Sequence, residues 1–466
     1  MFIGRKCELQ LLNKCSKEKK SHFTVIYGRR RIGKTALIEK YCAGKKTFNY
    51  TALKTSKSNQ IKNFLLDFSK FAKDPLIASA PYNSWREVFE LVLKHLPKGK
   101  TIIVLDEFQW MCKSDLSLLS VIQLMWDKHW QKNKNLHLIL CGSSTSFMLD
   151  EVLSHKSPLF GRRTQTIELT QLIPSEAKKM LKVKNNYEAS LYLMCLGAIP
   201  GYLLLIDNRL SFEQNINRLA FCKNGYFIDE LKYVLSDQLK QPTTYYKILR
   251  YLCLKPHSHK ELLELTGISS GSMSYYLDRL KALRIIEEYR PILLADTAKT
   301  VQFKIIDEYI RFYFNFIKPN LQVIAKNEGK YIFDRITSKK WDAFCGIAFE
   351  RFCFRNIESI IDRLKIDSLY TKYGPYWHKK SVRYGPGVQI DMVIERRDKM
   401  SMIVECKWSE KKIGYGLFTE LSKKCSRYPN PKKHKLRKVA IASCGVTNNL
   451  IDHPELGVMT LDDFYQ

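Results

Sequence analysis

Acidic residues are scarce in this 466-residue chain: 46 Asp and Glu stand against 77 Lys and Arg, leaving a formal net charge of +31. Solubility alone does not account for so large an excess, and a polyanion is the natural partner, nucleic acid and specifically DNA first. No run approaches the ~18 consecutive apolar residues of a membrane-crossing helix. The opening MFIGRKCELQLL also has no apolar signal-peptide core. The expectation is a soluble, cytoplasmic protein without a membrane partner. The 13 cysteines show neither a Cys-x-x-Cys pair nor a Cys/His ligand spacing. That excludes a recognisable structural zinc site and favours reduced thiols in a reducing compartment. The basic excess is densest at Lys17 to Lys20 and between Lys423 and Lys438, a segment with eight Lys or Arg and no acid. Either a solvated face or a polyanion contact explains such a run.

What is present is ordinary globular composition, with 45% hydrophobic, 26% charged and 12% aromatic residues, so the chain should fold. Its length exceeds one hydrophobic core and predicts about three domains of ~150 residues. The fold class expected is multi-domain α/β. Its parts are a P-loop parallel-sheet core (1–170), a helical lid (171–240), a winged helix with a connector helix (241–330), and a C-terminal α/β domain (331–466).

The segment HFTVIYGRRRIGKTALIEKYC holds an apolar strand (22–27), then Gly28-Arg29-Arg30-Arg31-Ile32-Gly33-Lys34-Thr35, then a helical pattern from Ala36. Strand, glycine loop and helix are the context in which backbone N–H groups surround phosphates. There Lys34 reaches the terminal phosphates and Thr35 holds magnesium. A second strand, TIIVLDEF, ends in Asp106-Glu107. Asp106 is expected to bind the same magnesium, and Glu107 to orient or deprotonate the attacking water. A third strand, LHLILCGSS, places Ser143 and Ser144 where the γ-phosphate lies, since ligands gather at the carboxyl ends of parallel strands. In PLFGRRT, Arg162 and Arg163 are read either as an arginine finger, in cis or across a subunit boundary, or as surface arginines on nucleic acid.

FIGRKCEL, YGRRRIGKT, VLDEFQW, LCGSS, LFGRR and GAIPGYL together resemble the archaeal-type ATPase family, which is similar to AAA+ proteins and belongs with the STAND NTPases. The resemblance covers residues 1 to about 205. It implies that the nucleotide is ATP and that Gly4-Arg5 lies near the adenine or the domain hinge; similar STAND and AAA-like proteins commonly assemble when ATP-bound, so a homo-oligomer on ATP binding is one candidate and oligomeric state stays open.

Residues 245 to 289 read as three helices and a strand, the pattern of a winged helix that either packs between domains or binds DNA. The aromatic stripe DEYIRFYFNFI (307–317) reads as a buried connector helix, with base stacking as the alternative. Further on, WDAFCGIAFERFCFRNI is a helix carrying Glu350. The strand VQIDMVIE then carries Asp391, and the strand SMIVECKW carries Glu405 and Lys407. Strand side chains alternate, so Glu405 and Lys407 share a face and Cys406 points into the core. Gln389 is expected on the face of Asp391. Two carboxylates and a lysine on one spot suit a magnesium ion and an attacking water on a phosphodiester. The pattern resembles the PD-(D/E)XK nucleases, without the literal Pro-Asp because Ile390 precedes Asp391, and such a domain is found fused to archaeal-type ATPases. The resemblance implies catalytic roles for Glu350, Asp391, Glu405 and Lys407, with Asp391 and Glu405 as metal ligands. The function expected is therefore ATP binding and hydrolysis controlling magnesium-dependent DNA cleavage. The alternative is a nucleotide-switched DNA-binding or scaffold protein with an inert nuclease fold.

Overall fold

The computed structural model describes residues 2–293, 301–380 and 385–466. The chain divides into two compact units, Met1–Leu172 with Ser236–Lys240, and Ile173–Leu235 with Gln241–Gln466.

The first unit is built on five parallel strands: β1 (His22–Tyr27), β2 (Thr47–Thr51), β3 (Thr101–Asp106), β4 (Leu136–Gly142) and β5 (Gln165–Glu168). Their order in the sheet is β2-β3-β4-β1-β5. Strands β1, β3 and β4 are buried along their whole length, which is why they read as apolar runs and not as alternating patterns. Thr24 and His137 are polar exceptions inside these strands, and each is satisfied. Thr24 Oγ1 pairs with His137 Nε2 at 2.8 Å and Tyr41 with His137 Nδ1 at 2.8 Å, while burial pushes the imidazole down to about 3 and keeps it neutral. Helices Lys57–Ala72 and Trp85–Lys94 pack Phe64, Phe68, Trp85 and Phe89 in edge-on and stacked ring contacts over Phe48 of β2. The order has one consequence for chemistry. Strand β4 lies between β1 and β3, so the loops leaving the carboxyl ends of all three are neighbours.

In the second unit, the helical span 173–235 and the C-terminal span interlock. Tyr187 stacks on Trp408 at 4.4 Å, Ser190 pairs with the Tyr465 hydroxyl at 2.8 Å, and Asn186 donates to Asp462 at 2.6 Å. The span read as a winged helix has helices Pro242–Leu252, His259–Thr266 and Ser270–Ala282 with a small antiparallel sheet. That sheet comprises β6 (His257–Ser258), β7 (Ile286–Tyr289) and β8 (Gln302–Ile305) in the order β6-β8-β7. After β7, Ile292 donates its N–H to Pro375 and its side chain joins the core of the C-terminal sheet.

The C-terminal sheet has five strands, β9 (Tyr370–His378), β10 (Val388–Arg396), β11 (Met400–Lys407), β12 (Lys435–Ala442) and β13 (Leu456–Met459). It is mixed: β9-β10-β11 run antiparallel, and β11-β12-β13 parallel. The register slips between Ile390 and Val393, where β10 carries one more residue than β9. Such a bulge re-aims side chains, and Asp391 stands in it.

Candidate functional site

Two sites emerge, one in each unit. In the first, the glycine loop follows β1 and ends at Gly33, the N-cap of helix Lys34–Cys42 with φ 95° and no side-chain cap. That leaves the helix N-terminal N–H groups facing outward, as anion binding requires. Gly28 has φ 151°, and a Cβ there would meet the Leu169 carbonyl oxygen at 2.5 Å, so no other residue fits. Arg31 also takes a left-handed φ of 68°. The buried Arg5 donates to the Ile32 carbonyl at 2.9 Å and the Thr170 carbonyl at 2.7 Å, fastening the loop. This is the place of the Gly4-Arg5 motif: against the phosphate loop itself.

Lys34 is 6% exposed and donates to the carbonyls of Gly28 and Arg29 at 2.9 and 3.1 Å. Burial lowers its pKa, while Cys141, Glu107 and Asp106 oppose that. Thr35 Oγ1 donates to Asp106 at 3.2 Å, so the hydroxyl and carboxylate expected to share a magnesium are adjacent. Glu107 is the N-cap of helix Phe108–Ser114 with φ 51°, a left-handed conformation that costs a non-glycine residue about 1 kcal/mol. Its N–H donates to Asp106 at 2.8 Å, and its carboxylate accepts from Ser143 Oγ at 2.7 Å. Gln109 donates to Ser143 Oγ at 3.1 Å and also to Glu107. A strained backbone held by three side-chain bonds fixes the Glu107 carboxylate at the end of β3. Ser144 is buried one residue past Ser143, and Ala36 is exposed in the first helical turn.

Arg162 and Arg163 lie elsewhere. Thr164 donates its N–H to Phe23 at the start of β1, so both arginines stand at the amino ends of the strands. The phosphate loop leaves the opposite end, about 20 Å of strand away at ~3.3 Å per residue. Arg162 is held by Asp127 through contacts of 2.8 to 3.1 Å, and Arg163 donates to the Leu153 carbonyl at 3.1 Å. Of the finger readings, the one in cis is closed by this topology.

The second site is on β10, β11 and two helices. Asp391 (7% exposed) and Glu405 (2% exposed) face one another across the β10–β11 pair, just beyond the last paired rung, Met392 with Val404. Asp391 Oδ2 takes the Cys406 N–H at 2.9 Å in place of a backbone carbonyl. Glu350, half-buried on helix Trp341–Arg355, is close enough to feel the Glu405 charge. Burial and mutual repulsion raise all three carboxyl pKa values above the usual range. Lys407 donates to Glu405 at 2.9 Å and to Glu420 at 3.2 Å. Its own burial opposes the charge, but the two glutamates outweigh it and raise its pKa. Cys406 is buried, and Gln389 is exposed on the near side of the bulge.

Three residues in these sites escaped the sequence reading: Gln109, Glu420 and Lys424. Lys424 projects from helix Gly416–Arg427 and donates to Glu405. Its signal was buried in the basic run, where Lys432 and Lys438 likewise pair with acids, Glu395 at 2.7 Å and Glu455 at 2.6 Å. Lys423, Arg427, Lys433, Lys435 and Arg437 are exposed.

Among the described residues no three His, Cys, Asp or Glu side chains form a ready metal cage. Magnesium seldom needs one, since it is commonly held by one or two carboxylates together with water and substrate phosphate. The all-oxygen pair Asp391 and Glu405 suits such a hard cation, although Lys407 and Lys424 beside Glu405 set positive charge against it. Also among the described residues, no helix is long and apolar enough to cross a membrane.

Residues 2–206 match a family described as an ATPase domain predominantly from Archaea, and residues 313–420 one described as archaeal and bacterial proteins of unknown function. The chain is 30% identical over 413 residues to the uncharacterized protein MJECL04 of Methanocaldococcus jannaschii, covering 88% of each. It is 48% identical over 46 residues to an uncharacterized ATP-binding protein of the same organism, MJ0423, across 10% of this chain and 78% of that one. Among solved structures it is similar to a Walker-type ATPase of Pyrococcus abyssi, with TM-score 0.50 and 18% identity over 67% of this chain and 96% of that one, a likeness of fold alone.

Proposed function

Because the chain belongs to the family of the Methanocaldococcus jannaschii protein MJECL04 and carries an archaeal-type ATPase domain at residues 2–206, we propose that ATP bound in its first unit controls magnesium-dependent cleavage of DNA in its second. The observation that carries the cleavage reading is the convergence of buried Asp391 and Glu405 on adjacent strands, with half-buried Glu350 of the neighbouring helix and Lys407 beside them.

In the first unit, Gly28 to Ala36 wrap the phosphates and Lys34 neutralises them. Thr35 and Asp106 would hold magnesium, which would offset phosphate charge. Glu107, aimed by Ser143 and Gln109, orients the attacking water. Arg162 and Arg163 serve a neighbouring copy of the chain in an ATP-dependent oligomer. In the second unit, Asp391 and Glu405 would hold the magnesium, which would supply charge neutralisation at the scissile phosphate and Lewis-acid activation of water. Lys407 orients the attacking water and offsets the developing charge. Glu350 adds a third carboxylate beside the pair, its pKa raised by burial and by Glu405. The net charge of +31 and the exposed lysines and arginines of the 423–438 segment supply the backbone contact with DNA.

The test is incubation of the full chain with supercoiled and linear DNA, magnesium and ATP, beside Lys407→Ala. Nicking by the wild type and not by the variant, with ATP hydrolysis equal in both, supports the proposal. Equal cleavage by both refutes the site. A second reading, nucleotide-switched DNA binding without cleavage, draws on the two lysines that already neutralise Glu405. It predicts salt-sensitive DNA binding and no magnesium-dependent product.

A further inference from the structure

The loop carrying Ser143 is gripped from a distant part of the chain. Helix Glu230–Gln238 begins among residues of the second unit, where the buried Glu230 accepts from the Tyr202 hydroxyl at 2.7 Å. Its last turn, together with Leu239 and Lys240, belongs to the first unit. There Gln238, 9% exposed, donates Nε2 to the Ser143 carbonyl at 2.8 Å and accepts at Oε1 from the Thr145 N–H at 2.8 Å. Ser146 Oγ donates to the Gln238 carbonyl at 2.6 Å, and Asp237 pairs with Arg30 of the phosphate loop at 2.9 Å.

A primary amide that uses both its donor and its acceptor on one loop fixes that loop's backbone in two directions. The loop holds Ser143, whose hydroxyl aims the Glu107 carboxylate. The exposed Asp237–Arg30 pair adds little energy, but it touches the segment that closes on phosphate. One helical turn therefore contacts both the phosphate loop and the residue that aims the Glu107 carboxylate.

We propose that Gln238 is a positioning residue for ATP hydrolysis, and that through it the state of the Ser143 loop is transmitted along helix Glu230–Gln238. This rests on the reading of residues 28–36 as an ATP site. Gln238 touches neither nucleotide nor water, and acts by holding Ser143, and hence Glu107, in place. A displacement of the loop when phosphate contacts change alters both bonds of the Gln238 amide. Because the helix is continuous, its beginning responds.

The experiment uses the full chain with Gln238→Ala and Gln238→Glu. The second substitution keeps an acceptor for the Thr145 N–H but sets a carboxylate against the Ser143 carbonyl. Both variants should lower kcat for ATP by about tenfold to a hundredfold, the scale of a misplaced catalytic group. Affinity for a fluorescent ATP analogue should stay close to the wild-type value. Hydrogen exchange in residues 230–235 should change on ATP addition in the wild type and not in the variants. Unaltered kcat in either folded variant overturns the proposal. So does loss of analogue affinity in parallel with kcat, which marks a structural role only. If Gln238→Ala fails to fold, Gln238→Glu decides. A wild type that neither binds the analogue nor hydrolyses ATP refutes the ATP reading itself, whereas hydrolysis unaffected by the variants refutes only the role of Gln238.

Discussion

Lys424→Met is the perturbation that most directly probes the carboxylate cluster. In the structure Glu405 is bonded to two ammonium groups, Lys407 at 2.9 Å and Lys424. Lys424 also stands 3.5 Å from Glu420. At ~4 Å and an effective dielectric of ~20, two unit charges interact by about 4 kcal/mol. Removing one partner of a buried pair costs up to about 3–5 kcal/mol when nothing compensates. Here Lys407 still serves Glu405, and Met preserves the packing of the stem, so the metal-free protein should lose about 1–2 kcal/mol. The same substitution removes a positive charge that opposes a divalent cation at Asp391 and Glu405. Magnesium or manganese affinity should then rise about tenfold, the equivalent of ~1.4 kcal/mol. The assay is calorimetric titration with manganese at pH 8, where the carboxyls are ionised, next to thermal unfolding of the metal-free protein. A variant that loses the expected stability but binds manganese no more tightly would refute the placement of the metal beside Lys424.

Ser143→Ala removes the bond that aims Glu107 and should lower the ATP turnover rate about tenfold to a hundredfold with little change in nucleotide affinity, read by steady-state phosphate release. Gly28→Ala forces a Cβ to 2.5 Å from the Leu169 carbonyl at φ 151°. It should destabilise the first unit by about 1–3 kcal/mol and abolish nucleotide binding, seen by thermal unfolding with and without ATP. The cluster also sets a pH dependence. The pKa of Asp391 is raised to about 6 and that of Glu405 to about 7, burial being the larger cause, so the folded state holds these protons more tightly than the unfolded chain. Their stabilisation is complete below about pH 4 and is lost as the pH rises through 6 to 7. For Asp391 it amounts to roughly 3 kcal/mol at ~1.4 kcal/mol per pKa unit, and Asp391→Asn should flatten the unfolding profile of the metal-free protein across that window.

The parallel core and the β10–β11 pair were legible because their signals are local: a strand, glycine loop and helix within 21 residues, and Asp391 and Glu405 on consecutive strands. What stayed hidden depends on long-range geometry. Arg162 and Arg163 read equally as a finger in cis, a finger across a subunit boundary or surface arginines; that β5 runs parallel to β1, so that residues entering β5 stand at the amino end of the sheet, is what separates the first from the others. Gln238 follows Ser143 by 95 positions, and no periodicity in a helical stretch marks one glutamine as the residue that grips a loop. Lys424 was one lysine in a run of like charge, distinguished only once its helix packed over β11. The bulge at Asp391 was equally silent, since an extra residue in one strand shows only against its partner.

The central claim is that the nucleotide site governs the carboxylate site within one chain. The most direct measurement is the rate of plasmid cleavage in magnesium by the wild type and by Lys34→Ala, each with and without saturating ATP. The account predicts that ATP changes the wild-type rate, and that the variant, whose phosphate loop lacks its ammonium, cleaves at one rate regardless of ATP. Identical rates for wild type and variant in both conditions would contradict it.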